Sequence, residues 1–271
     1  MICVREEEKT TMQMSSGKSP KEKEWRRLEK KENAYLSKKL EKKDSRLNQL
    51  LQNKVPEKLQ GTLNAAFAKA FSLIFEKGTG IIEKTYNRDE MQKSYQIDEY
   101  TANVRQNHKS LKVFSKKAGN AGKINMLMSG VSGVGLGVLG IGLPDIALFT
   151  GMMLKGIYEI ALRYGFDYEE DKEKQFILLL IQGAVAYGRD FQVIDEQLNE
   201  YIKQDYFIDA QDTETLISKA AQGLSTELLY MKFLQGIPVV GAVGGAYDAI
   251  YMKQVMEYAE LKYRRRFLWK I

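Results

Sequence analysis

One cysteine, Cys3, and one histidine, His108, are all that this 271-residue chain contains of the two residue types that most often build metal sites and disulfides. A single thiol excludes an internal disulfide and a zinc knuckle, so nothing in the cysteine usage points to an oxidising compartment. Histidine-dependent chemistry near neutral pH would have to pass through His108. That residue sits between Asn107 and Lys109 with no second histidine nearby, and it reads as a surface residue. The opening MICVREEEKTT puts acids where a signal peptide needs an apolar core, so the expectation is synthesis without export. Only four prolines interrupt the chain, and no stretch alternates apolar with polar residues in the manner of a strand.

What is present is helical periodicity and charge. Apolar residues make up 44% and charged ones 28%, enough of each for a real core under a polar surface. The net charge of +6 is unevenly placed, with Lys and Arg crowding residues 18–58 and again Lys262 to Lys270. Residues 1–20 have no periodicity and read as a tail, leaving 21–271 as one α-helical domain. Trp25, Leu28, Tyr35, Leu36 and Leu40 recur at helical spacing among Lys and Glu. Two readings of that helix stand side by side. Trp25 with Arg26 and Arg27 suits an anionic membrane surface, and the same apolar stripe suits packing on the protein's own core.

Further helices follow from the same spacing. Pro56 can open one that carries Leu63, Phe67, Ala70 and Phe71 up to Gly78, and another begins near residue 88. The run Phe176 to Tyr187 is apolar on nearly every side, which predicts burial. Val193, Leu198, Tyr201 and Ile202 mark an amphipathic helix. Asp212 or Thr213 caps a longer one, and a last helix ends in Tyr263-Arg264-Arg265-Arg266-Phe267-Leu268-Trp269-Lys270.

Two nearly uncharged stretches are dense in glycine, Asn125 to Leu143 and Gly236 to Ala249. Glycine costs a helix roughly 1 kcal/mol against alanine, so its repetition makes sense where backbones approach closely. Ser129, Gly133 and Gly137 recur every four residues on one helical face, and Gly241, Gly244 and Gly245 repeat the pattern near the end. With the run Ile146 to Leu162 after Pro144, the first stretch makes an apolar helical hairpin, each arm ~17 to 20 residues and so long enough to enter a bilayer. Lys155, Glu159 and Arg163 argue against a simple span.

Motifs that suggest chemistry fail on context. Gly135, Gly137 and Gly140 spell GxGxxG, but no strand precedes them and Pro144 cuts in where a helix should continue. Gly119 to Lys123 is too short for a phosphate loop, and Ile124 stands where Ser or Thr must meet magnesium. No metal cluster and no cofactor motif remains. The catalytic candidates are the acids in apolar surroundings, Asp145, Glu159 and Asp248, although for Asp145 a structural role, capping the helix starting at Ile146, is the favoured one. Nucleic-acid binding through residues 22–46 is disfavoured by the alternation of Glu with Lys.

The runs Gly140 to Ile146, Lys155 to Phe166, Gly236 to Asp248 and Lys262 to Leu268 together resemble the EcsC protein family. The resemblance covers about residues 22 to 271 and brings no catalytic residues with it. The family is bacterial and named for a gene beside an ABC-transporter ATPase and its membrane subunit. What it implies is an accessory role in transport or secretion, with ABC transporter subunits as partners. The composite expectation is an all-α bundle at the cytoplasmic face of a membrane, held by a surface of Trp25, Arg26, Arg27, Arg264, Arg265, Arg266 and Trp269. A hydrolase using buried carboxylates is the alternative.

Overall fold

The computed structural model describes residues 19–41, 57–78, 88–105, 144–205, 211–234 and 246–271. Every regular element among them is helical, as the periodicity predicts: α1 (Pro20–Glu41), α2 (Glu57–Leu73, running on through a π-helical turn at Ile74–Gly78), α3 (Arg88–Arg105), α4 (Pro144–Arg163), α5 (Asp171–Val185), α6 (Gly188–Gln204), α7 (Thr213–Leu234) and α8 (Ala246–Lys270). The Gly-rich stretches with Ser129, Gly133, Gly137, Gly241, Gly244 and Gly245 lie outside the described residues, as does His108.

Helix α5 is the centre. Phe176 through Val185 are all buried, because α6, α7 and α8 pack around it and leave no side for water. The neighbouring helices are amphipathic and follow the usual three-to-four spacing: Leu63, Phe67, Ala70 and Phe71 of α2 face α4 and α7, while Phe191, Leu198, Tyr201 and Ile202 of α6 face inward. One close approach fixes the α5 crossing. A Cβ on Gly183 would stand 2.8 Å from the Tyr258 ring and 3.1 Å from Ile194, so α8 and α6 can come this near only because no side chain intervenes.

The helix ends follow from local chemistry. Pro144 itself opens α4, where its missing N–H is no loss. Asp145 therefore lies inside the first turn and is not the cap expected of it. The other end closes with Gly165 at φ +80° and Phe166 N–H donating to Ala161 O at 2.9 Å, a left-handed stop that Gly adopts without strain. The α4–α5 turn is tied to α3 by Arg88, 2.9 Å from Asp167 and 2.8 Å from Glu169. Asp212 caps α7 by accepting the Thr215 N–H at 2.7 Å.

Candidate functional site

The densest concentration of charge in the interior runs along α8. Successive residues on an α-helix turn by about 100°, so Lys262 to Arg266 sweep the whole circumference. Each cation finds a different neighbour. Lys262 meets Asp195 of α6 at 2.7 Å, Arg264 meets Glu24 of α1 at 2.5 Å, Arg265 meets Glu32 of α1 at 2.7 Å, and Arg266 meets Glu173 of α5 at 2.5 Å. The three arginines expected at a membrane surface thus turn inward, and Arg264 and Arg266 are each only 6% exposed. The physical reason was available in the sequence: three consecutive side chains pointing 100° apart cannot all reach one plane, but they can all be met by helices packed around α8.

The α5 side of this seam is the most enclosed. Glu173 accepts from the Tyr263 hydroxyl at 2.6 Å as well as from Arg266, whose guanidinium lies over Phe166 at 3.9 Å and reaches the Tyr201 hydroxyl at 3.2 Å. Burial pushes the Glu173 carboxyl up, against the pull of Arg266 and of the Tyr263 hydrogen bond. For Arg266 burial acts against the charge, but Glu173 more than offsets it and the net movement is upward.

On the α6 side a cavity of about 160 Å³ opens between α1, α6 and α8, with Glu29, Asn33, Tyr35, Asp195, Lys262 and Arg265 in its wall. Burial pulls the Lys262 amine down, and Asp195 opposes it. The groups are already committed to one another. Asp195 accepts from Tyr258 at 2.7 Å and from Asn199 at 2.8 Å, while Lys262 also donates to Asn199 at 2.8 Å. Such a closed set fixes α6 against α8 and leaves space for roughly five waters. A second cleft of about 410 Å³, beside Arg266 and Trp269, is lined by four cations and four carboxylates and so selects neither sign.

Helix α1 packs along α8. Its buried stripe is Glu24, Leu28, Glu32, Tyr35 and Lys39. Tyr35 stacks on Tyr258 with centroids 5.2 Å apart, and Lys39 donates to the carbonyls of Ala184 and Ala186, where the C-terminal dipole of α5 favours a cation. Because Glu24 and Glu32 go inward, the outer side of α1 keeps, among the described residues, seven exposed bases, Lys21, Lys23, Arg26, Arg27, Lys30, Lys31 and Lys38, against two exposed acids, Glu22 and Glu29. Lys23, Arg26, Arg27 and Lys30 fall within about 100° of arc. At the same end Trp25 and Trp269 meet with centroids 5.9 Å apart, and Trp269 is 47% exposed. Sequence reasoning placed Trp25, Arg26, Arg27 and Trp269 on the surface and missed this sorting of Glu from Lys.

Two of the catalytic candidates are held apart. Asp145 and Glu159 sit fourteen residues apart on the unbroken helix α4, which holds them about 21 Å from each other at 1.5 Å per residue. Glu159 lies beside Lys155 of its own helix at 4.0 Å; burial raises its carboxyl, and Lys155 and Arg163 pull it back. Asp248 is in the first turns of α8, and the side chains of Asp145 and Asp248 lie outside the described residues. Among the described residues no group of three His, Cys, Asp or Glu side chains could hold a metal ion, and no helix is long and apolar enough to cross a membrane.

Among curated proteins, the chain is similar to one described as uncharacterized protein YdbA of Bacillus subtilis (strain 168), 28% identical over 166 residues. That stretch spans 58% of this chain and 58% of the relative. No solved structure matches. The family profile matches residues 20–268, the whole helical bundle from the start of α1 to the end of the arginine-bearing seam of α8, and on that match the chain belongs to the EcsC protein family.

Proposed function

We propose that this protein is a peripheral membrane protein that serves a transport or secretion process from the cytoplasmic face, docking through the outer side of α1. The observation that carries the reading is the sorting of charge on α1, with seven exposed bases against two exposed acids among the described residues, beside the Trp25–Trp269 pair. A cation near an anionic leaflet contributes about 1 kcal/mol, and the indole rings suit the headgroup boundary. The link to ABC transport rests on membership of the EcsC family and on nothing in the site.

In the hydrolase alternative, α4 holds Asp145 and Glu159 about 21 Å apart, so those two do not form one acid/base pair. Cell fractionation tests the membrane reading. A peripheral protein held by charge pellets with membranes and is released by high salt or carbonate. Recovery wholly in the soluble fraction at low salt would remove the membrane reading.

A further inference from the structure

The glutamates that α1 offers to α8 resemble ligands more than core. Of the five buried positions on the stripe, Glu24, Glu32 and Lys39 are charged. The half of α1 that carries Glu24 and Glu32 has Leu28 as its one fully buried apolar side chain, whereas the other half is anchored by Tyr35 and by Lys39 at the end of α5. Detaching the first half would therefore expose Leu28 and the partly buried Trp25, and little other apolar surface.

The fit of those glutamates is also incomplete. Arg265 is gripped along its Nε and terminal edge by both oxygens of Glu32, at 2.9 and 2.7 Å. Arg264 has the same edge available but meets Glu24 through one terminal nitrogen alone, and its Nε is buried with no hydrogen-bond partner among the described residues. The second oxygen of Glu24 turns away to Arg27 at 2.7 Å, outside the seam. A guanidinium edge with one orphaned N–H is the geometry that a phosphate, with several oxygens on one centre, satisfies by two parallel bonds.

We propose that Arg264 and Arg265 form an oxyanion-binding face on α8, that Glu24 and Glu32 occupy it in the free protein, and that anionic phospholipid headgroups displace them on contact with a membrane. The N-terminal half of α1 then acts as a latch hinged at Tyr35 and Lys39. Displacement adds Arg264 and Arg265 to the basic surface beside Trp269, while Glu24 stays with Arg27 on the same helix. The proposal rests on the membrane-surface reading above and adds a prediction of opposite sign to it. A helix that binds through its outer face while docked becomes more protected on a membrane, and a displaced latch becomes less protected.

Hydrogen exchange of the full-length protein with phosphatidylglycerol-containing vesicles, and with phosphatidylcholine vesicles as the neutral control, reads the difference. The expected result is exchange at residues 20–32 several-fold faster with the anionic vesicles alone, and unchanged exchange in α5. The Glu24→Gln/Glu32→Gln variant is expected to show the fast pattern without vesicles and to bind anionic vesicles several-fold more tightly. Binding accompanied by slower or unaltered exchange across residues 20–32 overturns the latch and leaves the membrane reading standing. Absence of binding by both proteins overturns the membrane reading and the latch together.

Discussion

Arg266 and Glu173 face each other at 2.5 Å with both side chains almost fully enclosed, and between them they join the first turn of α5 to the end of α8. The pair is held by the Tyr263 and Tyr201 hydroxyls and by the Phe166 face, so every change to it is felt at the centre of the bundle. Removing one partner of such a pair leaves a buried charge uncompensated, at a cost of about 3–5 kcal/mol. Glu173→Gln is accordingly expected to lower the stability read from denaturant titration by that amount. Glu24→Gln removes the partner of an equally buried Arg264, but local opening of α1 relieves that charge, so the global stability is expected to fall by less than for Glu173→Gln. Equal losses for the two variants would mean that α1 folds and unfolds with the core.

Gly183 gives a second test of the packing. Alanine there places a methyl group 2.8 Å from the Tyr258 ring, whose hydroxyl is held by Asp195 and cannot swing aside freely. Overpacking of this kind costs about 1–3 kcal/mol, more than the gain in helix propensity from replacing Gly. Thermal unfolding of Gly183→Ala should show a lower midpoint; an unchanged or raised one would mean that α8 can retreat.

A pH dependence follows from Glu260. Burial raises its carboxyl to about 7, against the Tyr164 hydrogen bond and the nearby Arg264, Lys31 and Arg163. The folded state therefore holds this proton more tightly than the unfolded chain, whose carboxyl stays at the ordinary 4.5. The stabilisation is full below about 4.5 and is lost as pH rises through 7, an upper bound of roughly 3 kcal/mol from the linkage of pKa to stability. Wild type is expected to lose stability from pH 5 to pH 8 more steeply than Glu260→Gln, by comparison of unfolding midpoints. Parallel profiles would place the titration elsewhere.

The periodicities of α2, α5 and α6 were legible from the sequence, because apolar residues that recur every three or four positions, or fill every side of a long run, are what a helix needs to bury one face or all of itself. The sequence left the α7 cap between Asp212 and Thr213, and the structure gives it to Asp212, which accepts the Thr215 N–H. What the sequence concealed was partnership. Glu24 and Glu32 look like surface residues of a Lys-rich helix until α8 supplies Arg264 and Arg265 from more than two hundred residues away. The same holds for Asp195, which sits on a predicted amphipathic helix but is drawn inward by Tyr258 and Lys262. Long-range ion pairs leave no period in the chain. The one available clue was geometric, that consecutive charged side chains on a helix must point in every direction.

Binding of the purified full-length protein to vesicles, compared with a Lys23→Gln/Arg26→Gln/Lys30→Gln variant, tests the membrane account most directly. All three side chains are exposed, so the fold should not notice their loss. At about 1 kcal/mol per cation, affinity for phosphatidylglycerol-containing vesicles should fall by roughly two orders of magnitude, and the wild-type affinity should itself decline as salt rises. Wild-type binding that ignores lipid charge, salt and the triple substitution would contradict the account.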